Sequence, residues 1–202
     1  AKHKKSDTEK EKWTSIKELK KAATDLKRRF RHILEQKPTL SNLYKLQWWL
    51  VIKMFTQVPT RNDTGTIELS KSKGNWLERP KRGNFILHFN QYKNSNKMGP
   101  KIIKLSRSIS MAIRRFLKYR DGVEVKHNFL LTGLNGKPMS RSGFGKALRN
   151  QTFALLGKKI GSRIIRVVVA TENRKLLEKA AELSNKMLHS TKQTIQYTRK
   201  DD

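Results

Sequence analysis

There is no cysteine among the 202 residues, which excludes disulfides and thiolate metal sites. Acidic residues are scarce: 16 Asp and Glu stand against 46 Lys and Arg, a formal net charge of +30. Turnover of a small neutral substrate needs no such surplus, and like charges at that density repel one another and cost stability. A polyanionic partner accounts for it, nucleic acid ahead of an anionic membrane. The five histidines are scattered without ligand spacing, so no metal or cofactor is expected. No apolar run reaches the roughly 18 residues of a membrane span, and no secretory leader is evident; the reading is a soluble, intracellular, DNA-associated protein. The chain begins at Ala1 rather than methionine, as in a processed chain or a fragment. Hydrophobic residues make up only 36%, but they are clustered, and a packed core is expected.

Residues 1–12 are charged and poor in apolar side chains, which predicts disorder. From Trp13, apolar residues recur at helical spacing through Ile16, Leu19, Ala23, Leu26, Phe30 and Ile33, until Pro38 stops the element. Its other face carries Lys17, Lys20, Lys21, Lys27, Arg28, Arg29 and Arg31, either a solvated face or one lying along a DNA backbone. Ser41 is read as the cap of a second helix running to about Gln57, apolar on most sides and therefore buried. Pro59 breaks it, and Arg61 follows directly.

The pattern then changes. Thr66–Leu69, Asn84–Phe89 and Lys101–Lys104 read as short strands, the second and third forming a hairpin with Lys93 and Lys97 in its tip. Helices follow from Ser108 to about Asp121, from a cap at Ser140 or Ser142 to about Leu156, and again around Leu176–Leu188. The fold class expected is α+β, mostly helical, with a small three-stranded antiparallel sheet. Residues 1–37 are read as a basic N-terminal arm and residues 38–202 as the catalytic domain.

The chemistry concentrates near the end of the chain. Arg163-Ile-Ile-Arg166 heads an apolar segment, and its two arginines, three apart, share one helix face. His189-Ser190 and then Tyr197 follow. Two fixed cations, an imidazole and a phenol suit a phosphodiester: arginines hold non-bridging oxygens, histidine donates a hydrogen bond, and tyrosine attacks. Each motif alone is weak, and basic proteins contain several Arg-x-x-Arg pairs by chance.

The order Arg61, Lys93, Arg163-x-x-Arg166, His189 and Tyr197 resembles the catalytic domain of tyrosine recombinases, the integrases of phages, viruses and mobile elements. Pro59-Thr-Arg61-Asn-Asp63 looks like the first arginine box of large-DNA-virus members. Arg163-Ile-Ile-Arg166-Val-Val-Val-Ala-Thr171 is similar to the second box, and Met187-Leu-His189-Ser190 to the turn before the nucleophile. The resemblance spans roughly residues 40–200. It implies cleavage and rejoining of double-stranded DNA through a 3′-phosphotyrosine, without metal or nucleotide cofactor. Tyr197 would be the nucleophile, Arg61 and Arg166 the phosphate clamp, His189 a further donor and Lys93 the general acid, with Lys97 as the other hairpin lysine. A Holliday junction and self-association as dimer or tetramer on DNA are implied partners. The family's His or Lys is Arg163 here, a phosphate donor but a poor proton shuttle. Asp63 stands two residues after Arg61 rather than three, leaving the bracing of that arginine open. A type IB topoisomerase, and a non-enzymatic basic nucleic-acid-binding protein, are the competing readings.

Overall fold

A computed structural model describes residues 5–187. Helix α1, Asp7–Glu11, lies inside the segment expected to be disordered. Composition missed a capping box: the Ser6 Oγ accepts from the Glu9 amide at 3.2 Å, and the Glu9 carboxylate accepts from the Ser6 amide at 3.1 Å. A second box, Ser15 with Glu18, starts α2, Ile16–Arg29, which buries Leu19, Ala22, Ala23 and Leu26. A 3₁₀ turn, His32–Glu35, follows before Pro38. These residues share one core with the rest of the chain, because α2 packs along α3, Leu40–Phe55.

Helix α3 is buried almost all round, as its composition requires. Its cap is Thr39, whose hydroxyl accepts from the Asn42 amide at 3.3 Å; Ser41, expected in that role, lies within the first turn. Thr39 directly follows Pro38 in extended backbone, the conformation a cap needs. Buried Gln47 fixes the far side of the domain, donating to the Thr132 carbonyl at 2.8 Å and accepting from its amide at 3.0 Å.

The sheet has four strands, not three, and is mixed rather than antiparallel. In order they are β1 (Ile67–Glu68), β2 (Asn75–Glu78), β3 (Ile86–Phe89) and β4 (Lys101–Lys104). β1 pairs parallel with β2, and the other pairings are antiparallel. Strand β2 was hidden within a Ser/Lys/Gly-rich stretch because it is only four residues long and two of them are polar. Parallel pairing of nearby strands normally needs a long crossover; here β1 is only two residues long. The β3–β4 hairpin matches the sequence reading, with Leu87 opposite Ile103 and His88 opposite Ile102. A single turn, α4 (Ser95–Met98), occupies its tip.

Helix α5, Arg107–Arg120, is capped by Ser106 and packs against α3. Buried Arg120 ties its end to the carbonyls of His127 and Phe129 at 2.8 and 2.9 Å. Ser140 caps α6, Arg141–Leu156, which ends at Gly157 with φ +67°, a left-handed stop suited to glycine. Then come α7, Ser162–Glu172, and α8, Arg174–Lys186. Among the described residues no helix is long and apolar enough to cross a membrane.

Candidate phosphate-binding site

Arg61 is placed by packing beneath it. It immediately precedes the 3₁₀ turn Asn62–Thr66, and α6 presses directly on that turn. A Cβ added at Gly65 would lie 2.6 Å from the Phe144 Cβ, and one at Gly145 would run into the side-chain nitrogen of Asn62. Gly65 therefore permits an approach that a side chain would block, and a side chain at Gly145 would displace the Asn62 amide that Ser162 holds. Phe144 itself is wedged between Trp48, with ring centroids 5.9 Å apart, and Phe55, at 6.1 Å.

Polar links then join the turn to the other walls. The Ser162 hydroxyl at the start of α7 donates to the Asn62 side-chain oxygen at 2.8 Å, joining the Arg61 turn to the helix that carries Arg163 and Arg166. Asp63 is buried and accepts from the Arg141 Nε at 2.8 Å. Arg141 also donates to the Gln91 carbonyl at 3.0 Å. Buried Asn75 on β2 grips Gln91 from both sides, accepting from its amide at 2.9 Å and donating to its carbonyl at 2.8 Å. The Tyr92 hydroxyl donates to the Gly99 carbonyl at 2.7 Å, closing the loop that presents Lys93. Each cation of the site thus projects from an anchored element.

These walls border an open cavity of about 380 Å³ lined by Arg61, Asp63, Lys93, Arg141, Arg163 and Arg166, with Asn62 and Ser162. Five cations face it, and its one carboxylate is engaged by Arg141. Both α6 and α7 begin at the cavity, at Arg141 and Ser162, so the positive ends of two helix dipoles add to the field. An adjoining cleft shares Arg61, Asp63 and Arg166 and adds Lys101 from β4. Burial, then the nearby Arg61 and Arg163 guanidinium groups, hold Arg166 below the usual arginine range, with Asp63 opposing. Cations crowded in this way are stabilised by an anion placed among them. Among the described residues Arg61 forms no ion pair or side-chain hydrogen bond, so its donors are free for a ligand.

No family model matches the chain, and no curated protein or solved structure matches it.

Four of the residues read from the sequence therefore meet at one place: Arg61, Lys93, Arg163 and Arg166. Lys97 lies in α4 and is not among the lining residues. His189 and Tyr197 lie outside the described residues. Sequence reading missed Arg141 and Lys101, and it considered Asp63 as a brace for Arg61, whereas the carboxylate pairs with Arg141. One signal for Arg141 was available: a basic residue in the first turn of a helix opposes the macrodipole and calls for a nearby acid.

Arg163 is mostly exposed, its side chain 77% accessible, and it meets the Glu9 carboxylate of α1 at 3.3 Å. The segment carrying Glu9 is held down by Lys158, which donates to the Trp13 carbonyl at 2.8 Å, and by Glu172, which accepts from the Ile16 amide at 2.9 Å. Glu9 therefore competes with any phosphate for Arg163. Glu9→Gln keeps the capping box but removes that competition. With Arg163 open to solvent the pair is worth about 0–1 kcal/mol, although the Glu9 side chain is mostly covered, so duplex DNA is expected to bind up to about fivefold more tightly. The gain should fade toward 0.2 M salt, as titrations at two ionic strengths would show.

Proposed function

We propose that this chain is a DNA strand-transfer enzyme of the tyrosine-recombinase kind, cleaving and rejoining strands through a 3′-phosphotyrosine. The observation that carries the reading is the convergence of Arg61, Lys93, Arg163 and Arg166 on one cavity from three separated parts of the chain. Such a convergence favours a single phosphate held at a fixed point over diffuse attraction to a polyanion.

In the proposed reaction Tyr197 gives its phenolic proton to solvent and its oxygen attacks the phosphorus. The bond from phosphorus to the 5′-oxygen breaks, and Lys93 protonates that leaving oxygen. One phosphorus–oxygen bond forms as another is lost, so rejoining needs no nucleotide cofactor. Arg61 and Arg166 offer planar forks to the non-bridging oxygens, where charge builds in the five-coordinate transition state. Arg163 and Arg141 add donors, and His189 supplies a further hydrogen bond. Asp63 keeps Arg141 at the cavity wall rather than taking part in proton transfer.

The test uses a library of labelled duplexes, nicked beside a randomised centre so that the short product diffuses away after cleavage. In EDTA, a covalent protein–DNA band on a denaturing gel is expected from the native chain and none from Tyr197→Phe. Conversion of a Holliday junction by the same preparation supports a recombinase; relaxation of supercoils by a monomer without junction conversion supports a topoisomerase. Tight binding with no covalent band from any substrate would leave the binding-protein reading in its place.

A further inference from the structure

A second basic surface lies on elements that do not line the cavity. Three clefts adjoin where α2, the 3₁₀ turn after it and α5 flank the last turn of α3. Arg115 lines all three, and Lys27 two of them. Along the whole track the cations are Lys27, Arg28, Arg31, Lys53, Arg115 and Lys118. Only Arg28 has a carboxylate partner among the described residues, Asp25 at 3.1 Å. Lys53 is half-buried; burial, then the neighbouring Lys27, hold its ammonium below the usual lysine range. Five uncompensated cations on one track weaken the fold unless something neutralises them.

The shape says what kind of anion fits. Lys27 stands in the last turn of α2 and Arg31 in the turn just beyond its end, while Arg115 and Lys118 stand one turn apart on α5. The charges thus form two short rows flanking a groove, not a nest around a point. A membrane surface would call for a rim of exposed large apolar side chains, and Met111 is the only one of these clefts' lining residues in that class. Of the seven basic residues on the outward side of α2 and the turn after it, the groove takes Lys27, Arg28 and Arg31 and leaves Lys17, Lys20, Lys21 and Arg29 outside.

We infer that this groove is a second nucleic-acid contact, gripping the phosphate backbone of duplex DNA at a place distinct from the Arg61–Arg166 cavity. It depends on the groove's geometry and charge, not on strand transfer, and stands or falls separately from the role of Tyr197.

The test compares two triple variants of the full chain with the same loss of charge. One is Lys27→Ala, Arg31→Ala and Arg115→Ala; the other is Lys17→Ala, Lys20→Ala and Lys179→Ala. All six positions are exposed, five on helices and Arg31 in a turn, so both variants should fold, and thermal melts would verify it. Binding of a 40-base-pair duplex of arbitrary sequence is measured against salt. Each lost phosphate contact lowers the slope of log K against log salt by about 0.9, so the groove variant should lose about two to three and the control less than one. At 0.1 M salt the groove variant should bind at least tenfold more weakly. Equal losses in the two variants would overturn the inference in favour of diffuse charge. An unchanged groove variant would overturn it too, and loss of poly-glutamate binding alone would assign the groove to an acidic protein.

Discussion

Arg166→Ala is expected to slow strand cleavage by about 10²–10³-fold, the usual cost of removing one preorganised donor from a developing oxyanion. The guanidinium is half-buried at the junction of two clefts, where it meets the fields of Arg61 and Arg163. Among the described residues its side chain makes a single hydrogen bond, from Nε to the Ser162 carbonyl at 3.3 Å within its own helix. The remaining donors point to a ligand role rather than a structural one. Deleting a cation from a crowd of cations also relieves repulsion, so the melting temperature should hold or rise slightly. Arg166→Lys restores the charge without the fork and should recover only part of the rate. Single-turnover cleavage of the nicked duplex, paired with a thermal melt, separates these outcomes. An unchanged cleavage rate in Arg166→Ala would remove this residue from the proposed clamp.

Phe144→Ala carries the largest expected cost in stability. The ring is fully buried, packs against both Trp48 and Phe55, and supports Gly65 in the turn after Arg61. Emptying such a site costs about 3–5 kcal/mol, from lost transfer free energy and from the cavity left behind. For a chain of this size that corresponds to a fall of roughly 6–20 °C in Tm. Because the turn rests on the ring, the surviving folded protein should also bind DNA less well at low temperature. Phe144→Leu refills most of the volume and should recover much of both losses. Denaturant titrations would measure it; a loss below about 1 kcal/mol would show that the turn does not depend on this contact.

The difference between what could be read in the sequence and what could not follows the range of each interaction. Helix α3 was legible because its apolar run admits no exposed face, and α6 because Ser140 and Gly157 mark its ends locally. Strand β2 was not, since four residues with one Trp and one Leu fall below any periodic signal. Helix α1 rests on one reciprocal cap rather than on a hydrophobic stripe, and composition alone conceals that. At the cavity, Arg61, Lys93, Arg163 and Arg166 were legible through their order along the chain and their local settings. Arg141 and Lys101 were not, because only the packing of α6 and β4 brings them to the cavity and its adjoining cleft. The pairing of Asp63 with Arg141 is equally non-local, which is why spacing within the first box left the carboxylate's partner open.

The central claim is that the cavity holds one phosphate for attack by Tyr197. Its most direct test is proteolysis of the covalent complex trapped on the nicked duplex, followed by mass analysis of the nucleotide-bearing peptide. The account predicts a 3′-phosphoryl nucleotide on the peptide containing Tyr197, and only there. An adduct on another side chain, or an undiminished adduct from Tyr197→Phe, would contradict it.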